Sequence, residues 1–307
     1  MAPNNLWGLI SESSHIIKAH PRHFSILFLI FLFPLFFLFL ISPTLSHLSN
    51  YFFTNTNLQQ QQTTNPTSLL YSLFLSLFSI SGLISIIYSV FHFFYGQQVK
   101  FSSAIRSTPS SFLPLFATTI VSQAIIFFIS LIYALLLFLL IHLVADFLNV
   151  TIPLSSPYII GFFVALPLLL VITYLQVNWV LVPVIVVVES CWGLEPLRRS
   201  ARLIKGMKGV ALSSFFFYGF VSLLFLWNCL FVIKGYDGET KTWGTVVRNW
   251  MVIVLYSYLI ATLMLSKIAV TTLLYIYCKA NHGENVEEFD KDYVSLPFHD
   301  RKVSEAV

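Results

Sequence analysis

Apolar side chains dominate this chain in six long stretches, and short polar segments separate them. Each stretch is long enough, at about 18 residues or more, for a helix to cross the ~30 Å apolar core of a bilayer. Helices are one of the two structures that satisfy all their backbone hydrogen bonds inside lipid. The pattern predicts an all-α polytopic membrane protein with six transmembrane helices. They are expected at residues 24–41, 69–95, 112–144, 158–188, 210–233 and 250–278.

The composition agrees with this pattern. Of the 307 residues, 57% are hydrophobic and only 10% are charged, whereas a soluble domain carries about 25% charged residues. The three cysteines lie far apart and form no CxxC pair, so neither a disulfide framework nor a metal site is expected. No nucleophile–base pair and no glycine-rich phosphate loop stand out. We therefore expect no enzymatic activity, no cofactor and no nucleic-acid partner.

Prolines lie in the interior of two of the predicted spans, away from their first turn. Pro34 lies in the first span, and Pro167 and Pro183 lie in the fourth. As one helix the fourth span would reach roughly 46 Å, well beyond the apolar core. A kinked or tilted helix, or one that extends past the bilayer, is expected there.

The most concentrated charge lies between the fourth and fifth spans. Apolar positions recur there at helical spacing, and cations occupy the other side. The cations are Arg198, Arg199, Arg202, Lys205 and Lys208. Glu195 precedes Arg199 by four residues, which is the favourable order for a helix ion pair. The spacing predicts a basic helix over residues 194–208 that lies in the membrane interface.

Three interpretations of this basic helix remain open. It fixes the membrane topology alone, it binds anionic lipid headgroups, or it docks against the protein's own helices. Anionic lipid attracts each Lys or Arg near the surface by about 1 kcal/mol. The expected partners are membrane lipids, including anionic headgroups, and a membrane-protein partner.

The segments outside the spans predict the topology. Residues 1–23 form an amphipathic N-terminal segment, and residues 279–307 form an acidic tail. Thirteen Lys or Arg residues lie in the two termini and the two loops on their side, against three in the opposite loops. The positive-inside rule then predicts that both termini and the basic helix are cytosolic. It does not distinguish the endoplasmic reticulum from the plasma membrane.

Polar side chains within the spans are the other candidate functional residues. They are Gln123, Asn178, Asn228 and Lys267. Asn and Gln suit hydrogen bonds between helices. An ionisable residue in a span is a functional hypothesis by default, although the long stem of Lys267 can also carry its charge to the interface. A transporter or channel with a hydrated cavity near Asn178 or Lys267 is the alternative to a lipid- or partner-organising domain.

A short internal repeat suggests how the chain is organised. Trp7-Gly8-Leu9 recurs as Trp192-Gly193-Leu194, and each tripeptide opens an amphipathic segment that leads into a span. The loop before the third span occupies the equivalent place. The pattern predicts three copies of one unit, an interfacial helix followed by a transmembrane hairpin.

Two groups of residues resemble known families. Glu189, Gly193 and the run LRRSARLIKG at 197–206 resemble a signature of bacterial and archaeal membrane domains, including the domain fused to some glycerophosphodiester phosphodiesterases. The residues YCK at 277–279 and HGE at 282–284 resemble an uncharacterised plant family of six-span membrane proteins. The resemblance implies a plant protein that carries this membrane domain over nearly its whole length. The phosphodiesterase catalytic domain is absent from the sequence, so no such activity is implied.

Overall fold

The computed structural model describes residues 5–42, 66–97, 99, 101–148, 157–234 and 243–283. These residues form helices and short connections, with no strand among them. Six helices are long and apolar enough to cross a membrane. They are Pro21–Ser42, Leu70–Phe94, Thr108–Leu140, Ala165–Glu189, Lys208–Ile233 and Val247–Asn281. The predictions of an all-α class and of six membrane-spanning helices are confirmed, and the chain is a membrane-embedded protein.

Ten helices are numbered here along the described residues. Their bounds are α1 Leu6–Ala19, α2 Pro21–Ser42, α3 Pro66–Phe94, α4 Phe101–Arg106, α5 Thr108–Leu148, α6 Pro157–Asn178, α7 Val182–Glu189, α8 Glu195–Leu203, α9 Lys208–Lys234 and α10 Trp243–Asn281. A 3-10 turn, Ile204–Gly206, joins α8 to α9. The predicted acidic tail lies outside the described residues from 284 onward.

A widened turn accommodates the proline of the first span. Pro34 has no N–H to donate to the carbonyl four residues earlier. In the preceding turn, Phe28–Leu32, the chain is a π-helix, and the N–H of Phe33 donates to the Phe28 carbonyl five residues back. A π-turn is the usual way in which a helix absorbs such an irregularity.

The fourth span is broken into two helices. Helix α6 ends at Asn178, residues 179–181 form a turn, and α7 begins at Val182. Pro183 then lies in the first turn of α7, where its missing N–H costs nothing. The sequence predicts a kinked or tilted helix here, or one that extends past the bilayer, and it did not predict the turn at residues 179–181.

The largest part of the apolar core lies toward the end of the bundle that carries α8, which we call the basic end. Its largest cluster joins α1, α3, α7, α8, α9 and α10, with Leu9, Ile84, Ile185, Leu203, Tyr218 and Leu274 all buried. Farther from the basic end, α5 exposes large apolar side chains such as Phe128, Leu131 and Leu135. Exposed apolar surface on a helix of this length suits contact with lipid.

Helix α1 packs on the bundle. Leu9 and Ser13 are fully buried on its inner face, where α1 contacts α3, α9 and α10. One face of this N-terminal helix is therefore occupied by the protein's own helices.

Candidate functional site

The break in the fourth span creates an anchor for α8. The N–H of Val182 donates to the carbonyl of Trp179 at 3.1 Å, which leaves the Asn178 carbonyl available. The Ser200 hydroxyl donates to this carbonyl at 2.6 Å, and Ser200 is fully buried. The hydrogen bond fixes the inner side of α8 to the end of α6.

The loop between α7 and α8 is tied to α5. Gly193 adopts a left-handed conformation, with φ of +79°, which glycine adopts at little cost. Its N–H donates to the Thr118 hydroxyl at 3.1 Å, and Thr118 itself donates to the Pro114 carbonyl at 2.7 Å. The loop therefore fixes where α8 begins.

A single carboxylate gathers groups from α8 and α10. Glu189, the last residue of α7, forms an ion pair with the Nε of Arg199. Its Oε1 accepts a hydrogen bond from the Tyr275 hydroxyl at 2.6 Å and lies 3.9 Å from the Nζ of Lys279. The Glu189 side chain is only 10% exposed. A buried carboxylate needs such partners, because removal from water strongly disfavours an isolated charge.

A second carboxylate holds the opposite side of α10. Both oxygens of Glu12, in α1, lie within hydrogen-bond distance of the Tyr277 hydroxyl, at 2.6 and 2.7 Å. Tyr275 and Tyr277 are two residues apart and thus about 200° apart around the helix. The end of α10 is therefore held between α1 on one side and α7 on the other.

The outer side of α8 presents a basic face, which we define as Arg198, Arg202 and Lys205. All three residues are exposed. Arg198 and Arg202 lie one turn apart in α8, and Lys205 follows in the 3-10 turn that continues from it. Together with Glu195 and Ala201 they line a shallow, open depression. The opposite side of α8 buries Leu197 and Leu203. The arrangement presents three cations to a surface ligand.

The five predicted cations thus divide into three groups. Arg198, Arg202 and Lys205 form the basic face, whereas Arg199 turns toward Glu189. Lys208 is exposed at the start of α9, where its Nζ lies 5.8 Å from the centre of the Tyr174 ring. The prediction of a pair between Arg199 and Glu195 did not anticipate Glu189 as a partner.

The chain matches one known protein-family model. A family model described as a domain of unknown function, DUF8558, matches residues 4–295. This chain belongs to the DUF8558 family. No curated protein matches the chain, and no solved structure matches it. The matched region contains all six apolar helices and the basic end, so the site described above lies within the DUF8558 domain.

Cys191 lies in the loop beside this site. Burial raises the pKa of its thiol, the carboxylates of Glu195 and Glu189 raise it further, and the Arg199 guanidinium opposes them. A raised pKa leaves the thiol protonated at neutral pH, and the thiolate is the reactive form. Cys191 therefore lacks the lowered pKa that marks an activated thiol.

The intramembrane polar candidates differ in exposure. Gln123 and Asn228 are exposed, Lys267 is partly buried, and Asn178 is buried. The amides of Asn178 and Asn228 each donate to a carbonyl one turn earlier in their own helix, Tyr174 at 2.9 Å and Leu224 at 2.8 Å. Asn178 belongs to the α8 anchor, through its backbone carbonyl.

Sequence reasoning missed several groups that build the site. They are Glu12, Glu189, Ser200, Tyr275 and Tyr277. Glu189, Ser200 and Tyr277 belong to the sequence patterns that resemble known families, and that resemblance was the signal that could have identified them. Glu12 and Tyr275 gave no local signal, because their partners are 265 and 86 residues away in the chain.

Proposed function

We propose that this DUF8558 domain is a non-enzymatic membrane protein that organises lipid through its basic face. Arg198, Arg202 and Lys205 would bind the phosphates of anionic headgroups at the cytosolic surface. The observation that supports this is that three exposed cations, two in α8 and one in the following 3-10 turn, line one depression, while α8 is anchored on its buried side through Ser200. A helix held in place loses less conformational freedom when a ligand binds.

The cytosolic orientation is part of the proposal. It is supported by the excess of Lys and Arg in the termini and in the segments that share their side of the membrane. Anionic lipids are enriched in the cytoplasmic leaflet, where they attract juxtamembrane cations. The orientation and the ligand class therefore agree with each other.

Native mass spectrometry of the purified full-length protein tests this function. The protein is equilibrated with an equimolar mixture of phosphatidylserine and phosphatidylcholine, and the bound ratio is measured. Each cation contributes about 1 kcal/mol, so the variant R198Q/R202Q/K205Q should have a preference for the anionic lipid that is roughly 10- to 100-fold lower.

A matched variant separates a defined site from diffuse charge. The variant K18Q/R22Q/R106Q removes the same total charge from exposed positions in α1, α2 and α4. It should retain most of the preference. An equal loss in both variants would contradict a headgroup site on α8 and leave only a general attraction.

Transport is the second candidate function. It is supported by Lys267, an ionisable residue in the span Val247–Asn281, because charged groups inside spans often mark ion or proton pathways. This function requires water to reach the middle of the bundle. Cysteine labelling at positions 178 and 267 decides between a hydrated cavity and a dry bundle interior.

We infer, finally, a relation to plant six-span proteins and to the bacterial domain fused to phosphodiesterases. The inference is supported by the residues that carry the resemblance, because Glu189, Gly193, Arg199 and Ser200 all contribute contacts to one site. A solved structure of such a bacterial domain should show an ion pair between the matching Glu and Arg. A different pairing there would contradict the relation.

A further inference from the structure

The last helix ends beside the basic face. Asn281 is the final residue of α10, and Gly206 directly follows Lys205. A Cβ atom built on Gly206 would lie 2.6 Å from the Nδ2 of Asn281. The Asn281 side chain therefore reaches Gly206, and α10 ends next to the last cation of the basic face.

The chain also changes direction at this point. Gly283 adopts a left-handed conformation, with φ of +71°, after a final turn in which His282 and Gly283 donate to the Lys279 and Ala280 carbonyls at 3.1 Å. A left-handed glycine after the last helical turn ends a helix and turns the chain away from its axis. Helix α10 therefore ends beside the basic face, and the described chain turns at Gly283.

Those following residues are strongly acidic. The segment 284–292 contains Glu284, Glu287, Glu288, Asp290 and Asp292 against a single Lys291. From Gly283 to Glu288 an extended chain reaches at most about 18 Å. From Gly206 to Arg198 the distance along a helix axis is about 12 Å. An extended chain that starts at Gly283 is thus long enough to span the basic face.

We propose that residues 284–292 dock on the basic face and compete there with anionic lipid headgroups. The charges are complementary, and attachment to α10 gives the segment a high effective concentration at the face, of the order of millimolar. The competition rests on the proposed function, whereas the docking itself does not. The contact is expected to weaken as ionic strength rises, since exposed charges are screened by salt.

Zero-length cross-linking tests the docking independently of lipid. A carbodiimide joins a carboxylate to an amine only where the two are in contact. In the full-length protein, purified without added lipid, peptide mass spectrometry should find Lys205 joined to Glu284, Glu287 or Glu288. Lys18, an exposed lysine in α1, is the matched reference amine.

Cross-linking to Lys205 should exceed that to Lys18 at least several-fold. It should also fall when phosphatidylserine or high salt is added before the reagent. Equal cross-linking to both lysines, or none to Lys205, would overturn the docking.

A variant pair then tests the competition. Neutralising the segment in E284Q/E287Q/E288Q/D290N/D292N should raise the preference for phosphatidylserine about fivefold in the native background. In the R198Q/R202Q/K205Q background the same change should have no effect. An equal rise in both backgrounds would indicate diffuse charge and would overturn the competition.

The two proposals fail in distinguishable ways. Suppose that R198Q/R202Q/K205Q keeps its lipid preference and that Lys205 of the native protein still cross-links to the acidic segment. The lipid function then fails and the docking stands. If that variant loses lipid preference but no cross-link forms, the headgroup site stands and this inference is overturned.

Discussion

At the scale of single residues, Glu189 gives the sharpest test of the basic end. Its negative charge and its position predict opposite effects of a substitution on the preference for anionic lipid. Glu189 is a negative charge near the basic face, so it should weaken the attraction for anionic lipid. As the partner of Arg199, Tyr275 and Lys279, it should hold α8 in the orientation that exposes the face.

We expect Glu189→Gln to lower the preference for phosphatidylserine about threefold or more, although it removes a negative charge. The substitution removes the carboxylate charge that Arg199 and Lys279 share in a largely buried position, at a cost of roughly 2 kcal/mol or more. The Tm of the detergent-purified protein should fall as well. Bound-lipid ratios from native mass spectrometry and a thermal unfolding curve measure the two effects.

Glu195→Gln is the matched control for that substitution. Glu195 is exposed at the start of α8, and its removal changes the charge equally. The preference of the Glu195→Gln variant for phosphatidylserine should stay the same or rise, and the Tm of this variant should hardly change. If Glu189→Gln behaved in the same way, Glu189 would have no positioning role.

At the scale of helices, α2 and α3 meet closely at one glycine. A Cβ atom on Gly82 would lie only 2.8 Å from the Cβ of Phe31. Phe31 lies in the π-turn of α2 and is 9% exposed. Its Cβ is tied to the backbone, so the clash cannot be relieved by a rotation of the ring.

We expect Gly82→Ala to destabilise the protein by about 1–3 kcal/mol, because α2 and α3 must move apart. Thermal unfolding in detergent measures this. Gly219→Ala is the control, since Gly219 lies in α9 with nothing within 4 Å of the added atom. That variant should be unchanged or slightly more stable, given the helix preference of Ala. Equal destabilisation in both variants would contradict close packing at Gly82.

The repeated tripeptide relates α1 to α8. Each of α1, α4 and α8 precedes a membrane-spanning helix, and each buries at least one apolar side chain, Leu9, Ala104 and Leu197 respectively. Trp7 and Trp192, which open the two copies of the tripeptide, are both 69% exposed. Tryptophan suits the membrane–water interface. The first tripeptide lies inside α1, whereas the second lies in the loop before α8, and three copies of one unit stay a prediction.

At the scale of the whole molecule, the distribution of burial predicts a dry bundle. Asn178 is only 7% exposed, and its amide is already bonded within α6. In a variant with Cys191, Cys229 and Cys278 replaced, single cysteines are placed by Asn178→Cys and Lys267→Cys. Neither should react with a water-soluble maleimide in intact membranes.

Lys205→Cys in the same background is the positive control, and it should react when the reagent reaches the predicted cytosolic side. Labelling at both 178 and 267 would mean a hydrated cavity, and transport would replace lipid organisation as the proposed function. Labelling of Lys205→Cys from the opposite side would contradict the positive-inside orientation.

The sequence by itself determined the class of this protein and the position of its concentrated charge. Hydrophobic length is a local property, since a bilayer selects for about 20 apolar residues whatever the rest of the chain does. Helical spacing is equally local, which is why the side of α8 that carries Arg198, Arg202 and Lys205 follows from the sequence.

Only the tertiary structure decided which charges remain available. Arg199 is one residue from Arg198, yet it turns to Glu189, which α10 also contacts through Tyr275 and Lys279. The break after Asn178 frees the carbonyl that Ser200 uses. These partners meet because helices far apart in the chain pack together, and no local pattern encodes which buried acceptor a distant donor will find.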